Sequence, residues 1–377
     1  MYVPATEWGG PTYAVASYAR ALQATGVTCE VFTTTARGSR DLPPLAPGTR
    51  DVDGVRVTYF PAPAVSQAFI SPAMAVALAR RVHEFDVVHT HMLWSFPGIV
   101  ASRAARVRGV PYVVTPHGAL DPWSLAQRRW IKQAFLVGSE TATLRRAALV
   151  HYTADAERRA VPTNFGDLRS VVVANVIEPR DAPRMDAGRD VLILGRIHVM
   201  KGFDVLVPAI REVLATRPDA RLVIAGPDEG GYRGEVEQMI ASAGIAHAVT
   251  FTGHVDAAQR ERLLATCALL VQPSYRENFG MAVAEAMAAG VPVVVSDRVN
   301  ICDDITRASA GLVVPRETGA LAHAITTLLA DPARRARMGE AGRALVRERY
   351  APAVVGPAMR AAYDQAARNR PKRTASQ

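Results

Sequence analysis

Two carboxylates eight residues apart, Glu277 and Glu285, stand in the run Q-P-S-Y-R-E-N-F-G-M-A-V-A-E-A-M-A-A-G-V-P-V-V-V-S over residues 272–296. Between residues 281 and 289 every residue except Glu285 is apolar, which predicts a buried helix. A buried carboxylate without partners costs several kcal/mol, so a cation or hydroxyl groups must meet Glu285, or its pKa must rise. Asn278 and Gly280 offer a turn before this helix, Gly290 a cap after it, and Pro292 the entry to a strand. A helix start near Gly280 would turn free backbone N–H groups toward an anion. If the whole span were helical, Glu277 and Glu285 would lie roughly 12 Å apart and about 80° around the axis. That separation suits two ends of one elongated ligand better than a single reacting bond. The competing reading pairs Glu285 with an arginine from a neighbouring strand.

A second group of chemically capable residues follows the apolar run 191–194, as Gly195-Arg196-Ile-His-Val-Met-Lys201-Gly202-Phe203. It lacks the G-x-x-x-x-G-K-[ST] order of a Walker A loop, yet sets two cations and two glycines at a strand end. The plain alternative is a solvated basic loop. Gly9 and Gly10 precede a helical pattern and would let the backbone approach a phosphate group, or make an ordinary turn. His117 follows a strand in T-P-H-G-A-L-D-P, a position open equally to a site residue and to an exposed loop histidine. His89-Thr90-His91 has a metal-ligand spacing, but alternation along a strand also puts both imidazoles on one face with one of them packed. No carboxylate and lysine set completes such a metal site. Asp51-Val-Asp53 precedes the strand 55–60 and reads as a polar turn.

These residues need a frame. The 377 residues are 49% hydrophobic and 21% charged, enough for two globular domains. Lysine plus arginine exceed acids by 44 to 35, giving +9, a balance that suits anionic ligands or surfaces without choosing among them. Lys132, Lys201 and Lys372 are the only lysines, so a lysine inside a motif carries more information than an arginine. Cys29, Cys267 and Cys302 are odd in number and widely spaced, which argues against a disulfide framework or structural zinc site and fits a reducing cytoplasm. No run of 18 apolar residues appears.

Strands at 29–34, 55–60, 87–91, 112–115, 149–153 and 170–174 alternate with helices at 13–24, 72–84 and 96–108, which predicts a doubly wound parallel sheet. Almost no strand precedes the Gly9-Gly10 loop, and the expectation is that the first strand is truncated. A polar, proline-bearing run separates this half from strands at 191–194, 221–225, 249–252, 269–272, 293–296 and 311–314. The resulting domains are 1–176, a linker 177–190, 191–350, a terminal helix 351–367 and a disordered tail 368–377. Residues 123–146 mix Trp130, Ile131 and Phe135 with Arg128, Arg129, Lys132, Arg145 and Arg146, a basic amphipathic surface able to rest on an anionic bilayer or simply to face the core on one side.

The stretch S-x-x-E-N-F-G-M-x-x-x-E-A-M-A, with the G-R-x4-K-G element before it, resembles the GT-B retaining glycosyltransferases of family 4, glycosyl transferases group 1. The likeness spans nearly the whole chain and is strongest over residues 191–315. It implies an α/β GT-B fold, two Rossmann-like domains facing an interdomain cleft with the last helix crossing back. The implied reaction moves a sugar from a nucleoside-diphosphate sugar to an acceptor hydroxyl with retention, in polysaccharide or lipid-linked glycan synthesis. The resemblance assigns Arg196 and Lys201 to the leaving diphosphate, Glu277 with the backbone of Phe279, Gly280 and Met281 to the transferred sugar, and Glu285 to the ribose. Gly10 would lie by the phosphates and His117 by the reaction centre. No cofactor or metal is implied, the two cations standing in place of magnesium. A cytoplasmic enzyme, with possible peripheral membrane contact and no nucleic-acid partner, follows from the same likeness. Ala174-Asn175-Val176 departs from the P-N-G usual at the hinge. A catalytically silent sugar-nucleotide-binding subunit is the alternative.

Overall fold

The computed structural model describes residues 2–5, 10–37, 45–63, 69–127, 139–185 and 188–368. The chain forms two units, Met1–Val176 with Pro352–Gln377, and Ile177–Ala351.

The first unit carries strands β1 (Glu30–Thr34), β2 (Gly48–Val52), β3 (Val55–Phe60), β4 (Val88–His91), β5 (Tyr112–Thr115), β6 (Leu149–Tyr152) and β7 (Ser170–Val172). They form two sheets, a three-stranded one in the order β1-β3-β2 and an all-parallel one in the order β4-β5-β6-β7. The sequence pattern predicts one parallel sheet here, and it misses β2. That strand pairs antiparallel with β3 through a turn at Asp53-Gly54, both with positive φ. Asp51 therefore lies in a strand, and its Oδ1 accepts from Gly54 N at 2.9 Å. β2 is mostly exposed and polar, so it has no hydrophobic alternation by which to be recognised.

The helices Gly10–Gln23 and Pro352–Arg368 pack together in this unit. Tyr18 and Leu22 share one cluster with Val355, Met359, Val113 and Leu149, so the chain end belongs to the core of its beginning. Gly356 permits the approach, since a Cβ there would meet Ala21 O at 2.7 Å.

The second unit holds β8 (Asp190–Leu194), β9 (Arg221–Ala225), β10 (Val249–Gly253), β11 (Leu269–Gln272), β12 (Val293–Ser296) and β13 (Gly311–Val314) in one parallel sheet of order β10-β9-β8-β11-β12-β13. β11 and β12 are buried throughout, as expected of strands covered by helices on both faces. From β8 the chain builds outward through β9 to β10, then returns to β11 on the other side of β8. The order in which strands are added therefore reverses between β8 and β11, and the loops leaving those two strands flank the switch point where such sheets bind ligands. No helix among the described residues is long and apolar enough to cross a membrane. Trp123 is 39% exposed, whereas Arg128, Arg129, Trp130, Ile131, Lys132 and Phe135 lie outside the described residues.

Candidate active site

The loop after β8 supplies Arg196 and Lys201, and the loop after β11 supplies Glu277. Three glycines let the backbones converge. A Cβ on Gly226 would sit 1.9 Å from Gly195 O, and one on Gly202 would sit 2.1 Å from Pro273 O. Gly195, with φ 141°, leaves room for Lys201, whose Nζ would stand 3.1 Å from a Cβ there.

Lys201 Nζ donates to Glu277 Oε1 at 2.6 Å, both side chains being less than one-fifth exposed. Gln272 Nε2 and Ser274 Oγ donate to the same oxygen at 3.1 and 3.0 Å. Gln272 and Ser274 are themselves buried and hydrogen-bonded to each other at 2.7 Å. Three donors thus hold one carboxylate oxygen, and Oε2 makes no hydrogen bond among the described residues. The arrangement fixes the carboxylate and leaves an acceptor for a ligand hydroxyl. Ser274 stands three residues before Glu277, an S-x-x-E spacing that could have revealed the contact. Gln272 carries no such signal.

Glu277 is not on the helix. Its N–H donates to Arg298 O and its carbonyl accepts from Asn300 N, a bridge to the segment after β12, and the helix runs over Met281–Ala288. The separation calculated for a continuous helix therefore does not apply. Gly280 separates the two segments with φ 85° and ψ 57°, the left-handed region that glycine enters most readily. Phe279 is buried with its ring edge-on to Tyr350, 5.2 Å between centroids. Arg343 and Arg184 donate to the carbonyls of Ala289 and Gly290 at the far end of the helix, satisfying groups that would otherwise be orphaned.

Glu285 is met by Arg260, from the helix Ala257–Thr266, at 3.2 Å. Burial raises the Glu285 pKa, with the Arg260 and Arg180 charges opposing it. The carboxylate is 17% exposed, so it is paired without being sealed. The arginine comes from a helix whose apolar pattern gave no hint of it, not from a neighbouring strand. Arg196 is half-exposed and ion-paired with Glu229. A bridge between Ile197 and Asp228 holds their loops side by side.

His117 belongs to the first unit, beyond β5, with φ 51°. Gly118 N donates to Glu157 Oε1 at 2.7 Å, and the other oxygen of this buried carboxylate accepts from Thr153. Beside it stand His89, His91 and His151. Burial lowers all four histidine pKa values, His117 to about 3 and His151 to about 4. Alternation along β4 does bring both its imidazoles together, with ring centroids 4.2 Å apart. No group of three His, Cys, Asp or Glu residues able to hold a metal is found among the described residues. Gly10 opens the helix Gly10–Gln23 of the same unit, while Gly9 is outside the described residues.

Residues 178–345 match the family described as "Glycosyl transferases group 1", and residues 9–175 match the "Glycosyl transferase 4-like domain". A D-inositol 3-phosphate glycosyltransferase of Acidothermus cellulolyticus is 31% identical over 369 residues, covering 88% of this chain and 80% of that protein. The chain belongs to the group 1 family of glycosyl transferases. Another relative, the 2-deoxystreptamine glucosyltransferase of Streptomyces kanamyceticus, is 27% identical over 83% of this chain and 88% of its own length. Solved structures share the fold of this group 1 transferase, two of them as follows. Sucrose-phosphate synthase from Thermosynechococcus elongatus has a TM-score of 0.74 at 22% identity, covering 95% of this chain and 93% of its own. Anabaena HepE, in complex with UDP and glucose, has a TM-score of 0.73 at 19% identity, covering 94% and 96%. The group 1 transferase is thus an enzyme of GT-B fold with two Rossmann-like sheets.

Proposed function

We propose that this transferase moves a sugar from a nucleoside-diphosphate sugar to an acceptor hydroxyl with retention of anomeric configuration, in polysaccharide or lipid-linked glycan synthesis. The observation that carries the reading is the switch-point pair: Lys201 on Glu277 Oε1, with Oε2 open. A diphosphate entering between the β8 and β11 loops would draw Lys201 and Arg196 from their carboxylates. Charge-assisted bonds of this kind contribute about 1.5–3 kcal/mol each and count most as charge builds on the leaving group. Glu277 Oε2 accepts from a hydroxyl of the transferred sugar, assisted by the backbone at Phe279, Gly280 and Met281. Glu285 accepts from the ribose, and Gly10 and His117 serve the phosphates and the reacting sugar.

The bond from the anomeric carbon to the diphosphate breaks, and the bond to the acceptor oxygen forms on the same face. The hydroxyl proton passes to the departing phosphate oxygen, so no protein nucleophile is required. With two cations on the diphosphate, no metal is required either. Peripheral contact of residues 123–146 with an anionic bilayer would bring the enzyme to a lipid-linked acceptor at the inner membrane face. Solved structures of the related HepE hold UDP and UDP-glucose, which makes UDP-sugars the first to try.

The test is a thermal-shift and transfer panel of UDP-, GDP- and ADP-sugars with EDTA present, the product anomer read by NMR. One class should raise Tm and yield an axial or equatorial linkage matching the donor. Activity only after added Mg²⁺, or an inverted product, would overturn the corresponding part of the reading.

A further inference from the structure

We propose that His91 is a positioning residue for His117: it holds the ring plane of His117 and, through one shared proton, couples the tautomer of His117 to its own. The inference rests on the proposed contact of His117 with the reacting sugar.

His91 Nδ1 lies 3.1 Å from His117 Nε2, and the two rings are stacked with centroids 5.3 Å apart. Their backbones are pinned to one another. His91 is opposite Thr115 in the β4–β5 ladder, and Met92 N donates to Thr115 O at 2.9 Å. His117 follows two residues later, its left-handed turn held by the Glu157 carboxylate.

Among the described residues, the neighbours leave His91 only His117 to bond. Val173 O can only accept, so the 2.7 Å contact with His151 Nε2 puts the proton on that nitrogen and leaves His151 Nδ1 as an acceptor. Thr115 Oγ1, 2.7 Å away, then donates to His151 Nδ1 and accepts from His89 Nε2 at 2.6 Å. His89 Nδ1 is left to accept from Tyr363 OH at 2.7 Å. One direction of donation runs through the chain, and both nitrogens of His89 and of His151 are consumed. His89 therefore stacks on His91 without bonding to it.

Between two neutral imidazoles one nitrogen donates and the other accepts. If His91 Nδ1 carries the shared proton, His117 presents its other nitrogen, Nδ1, as a donor. If His117 Nε2 carries it, Nδ1 is a bare acceptor. Neither His91 Nε2 nor His117 Nδ1 has a partner among the described residues, so whether His117 Nδ1 donates or accepts follows from which ring holds the shared proton. An orienting partner that fixes a histidine tautomer has this effect in hydrolase triads, where a wrong tautomer costs about 10⁴ in rate.

His91→Phe keeps an aromatic ring and removes the hydrogen bond. His91→Asn removes the ring and keeps an amide near the Nδ1 position. His91→Phe should lower kcat about 10²-fold with KM for the sugar nucleotide unchanged, and His91→Asn should recover most of the loss. In ¹⁵N spectra of the folded wild-type chain, one of His91 Nδ1 and His117 Nε2 should be pyrrole-like and the other pyridine-like, and His91→Phe should shift the His117 signals. Unchanged His117 signals in a folded His91→Phe protein, or equal losses in both variants, would overturn the proposal. Full activity of His117→Ala would instead refute the contact of His117 with the sugar, while the spectra still judge the His91 coupling.

Discussion

Lys201 and Glu277, 76 residues apart in sequence, meet at 2.6 Å across the switch point of the second unit's sheet. Each is the other's counter-charge until a ligand arrives, and both are more than four-fifths buried. Removing Lys201 leaves the carboxylate with two neutral donors and, in the proposed reading, the diphosphate with one cation fewer. Lys201→Ala should lose about 10²–10³ in kcat, the effect of deleting one donor to developing charge. Steady-state kinetics on the folded variant measures it, and unaltered turnover would contradict the role given to Lys201.

Glu285 and Arg260 allow a separate test, because their pair does two jobs in the proposed reading. Arg260→Ala would leave a carboxylate mostly buried without its cation, costing roughly 1–3 kcal/mol of stability. Glu285→Gln keeps the shape and an amide oxygen that can still accept from Arg260, but weakens acceptance from the ribose. The expected pattern is a lower denaturant midpoint for Arg260→Ala and, for Glu285→Gln, a near-normal midpoint with a raised KM for the sugar nucleotide. A normal KM in Glu285→Gln would reduce the pair to a structural one.

The second unit's sheet was almost fully legible, because its strands are apolar runs closed by glycine and proline. The first unit was less so: β2 is exposed and lacks the periodicity that marks a strand. At the site, residue types pointed to Lys201, Glu277 and Glu285 individually, yet the contact of Lys201 with Glu277 depends on strand order, which local patterns do not encode. The His89–Thr115–His151 chain depends on the register of β4, β5 and β6, and His151 has only apolar and aromatic neighbours in sequence to announce it. Arg260 was hidden by abundance, one arginine in a chain rich in them.

The buried histidines should make the first unit sensitive to acid. In the unfolded chain an imidazole binds its proton near pH 6.5, about its ordinary value, whereas burial delays His151 until about 4 in the folded chain. The unfolded state therefore holds more protons between these values, and stability, complete above the upper one, falls as pH drops through the window. His151 alone would contribute on the order of 3 kcal/mol, and His89, His91 and His117 act in the same direction. The urea midpoint should fall as pH is lowered from about 6.5 to 5, while proton NMR shows the four rings still neutral. Ordinary titration of these rings in the native protein would refute the assignment.

Gly202 and Gly230, the latter in the loop after β9, separate a glycine the site requires from one with room to spare. Both have left-handed φ, 77° and 72°. Nothing lies within 4 Å of a Cβ on Gly230, so Gly230→Ala bears only the cost of its backbone conformation, about 1–2 kcal/mol. On Gly202 the same methyl would stand 2.1 Å from Pro273 O, and backbone cannot rotate away as a side chain does. The β8 and β11 loops would have to part, carrying Lys201 from Glu277. Gly202→Ala should therefore cost roughly 3 kcal/mol or more and, in whatever fraction stays folded, lower kcat as Lys201→Ala does. Chemical denaturation and kinetics on the two alanine variants check both halves, and a Gly202→Ala protein as stable and active as Gly230→Ala would show that the loops have slack the contact distance denies.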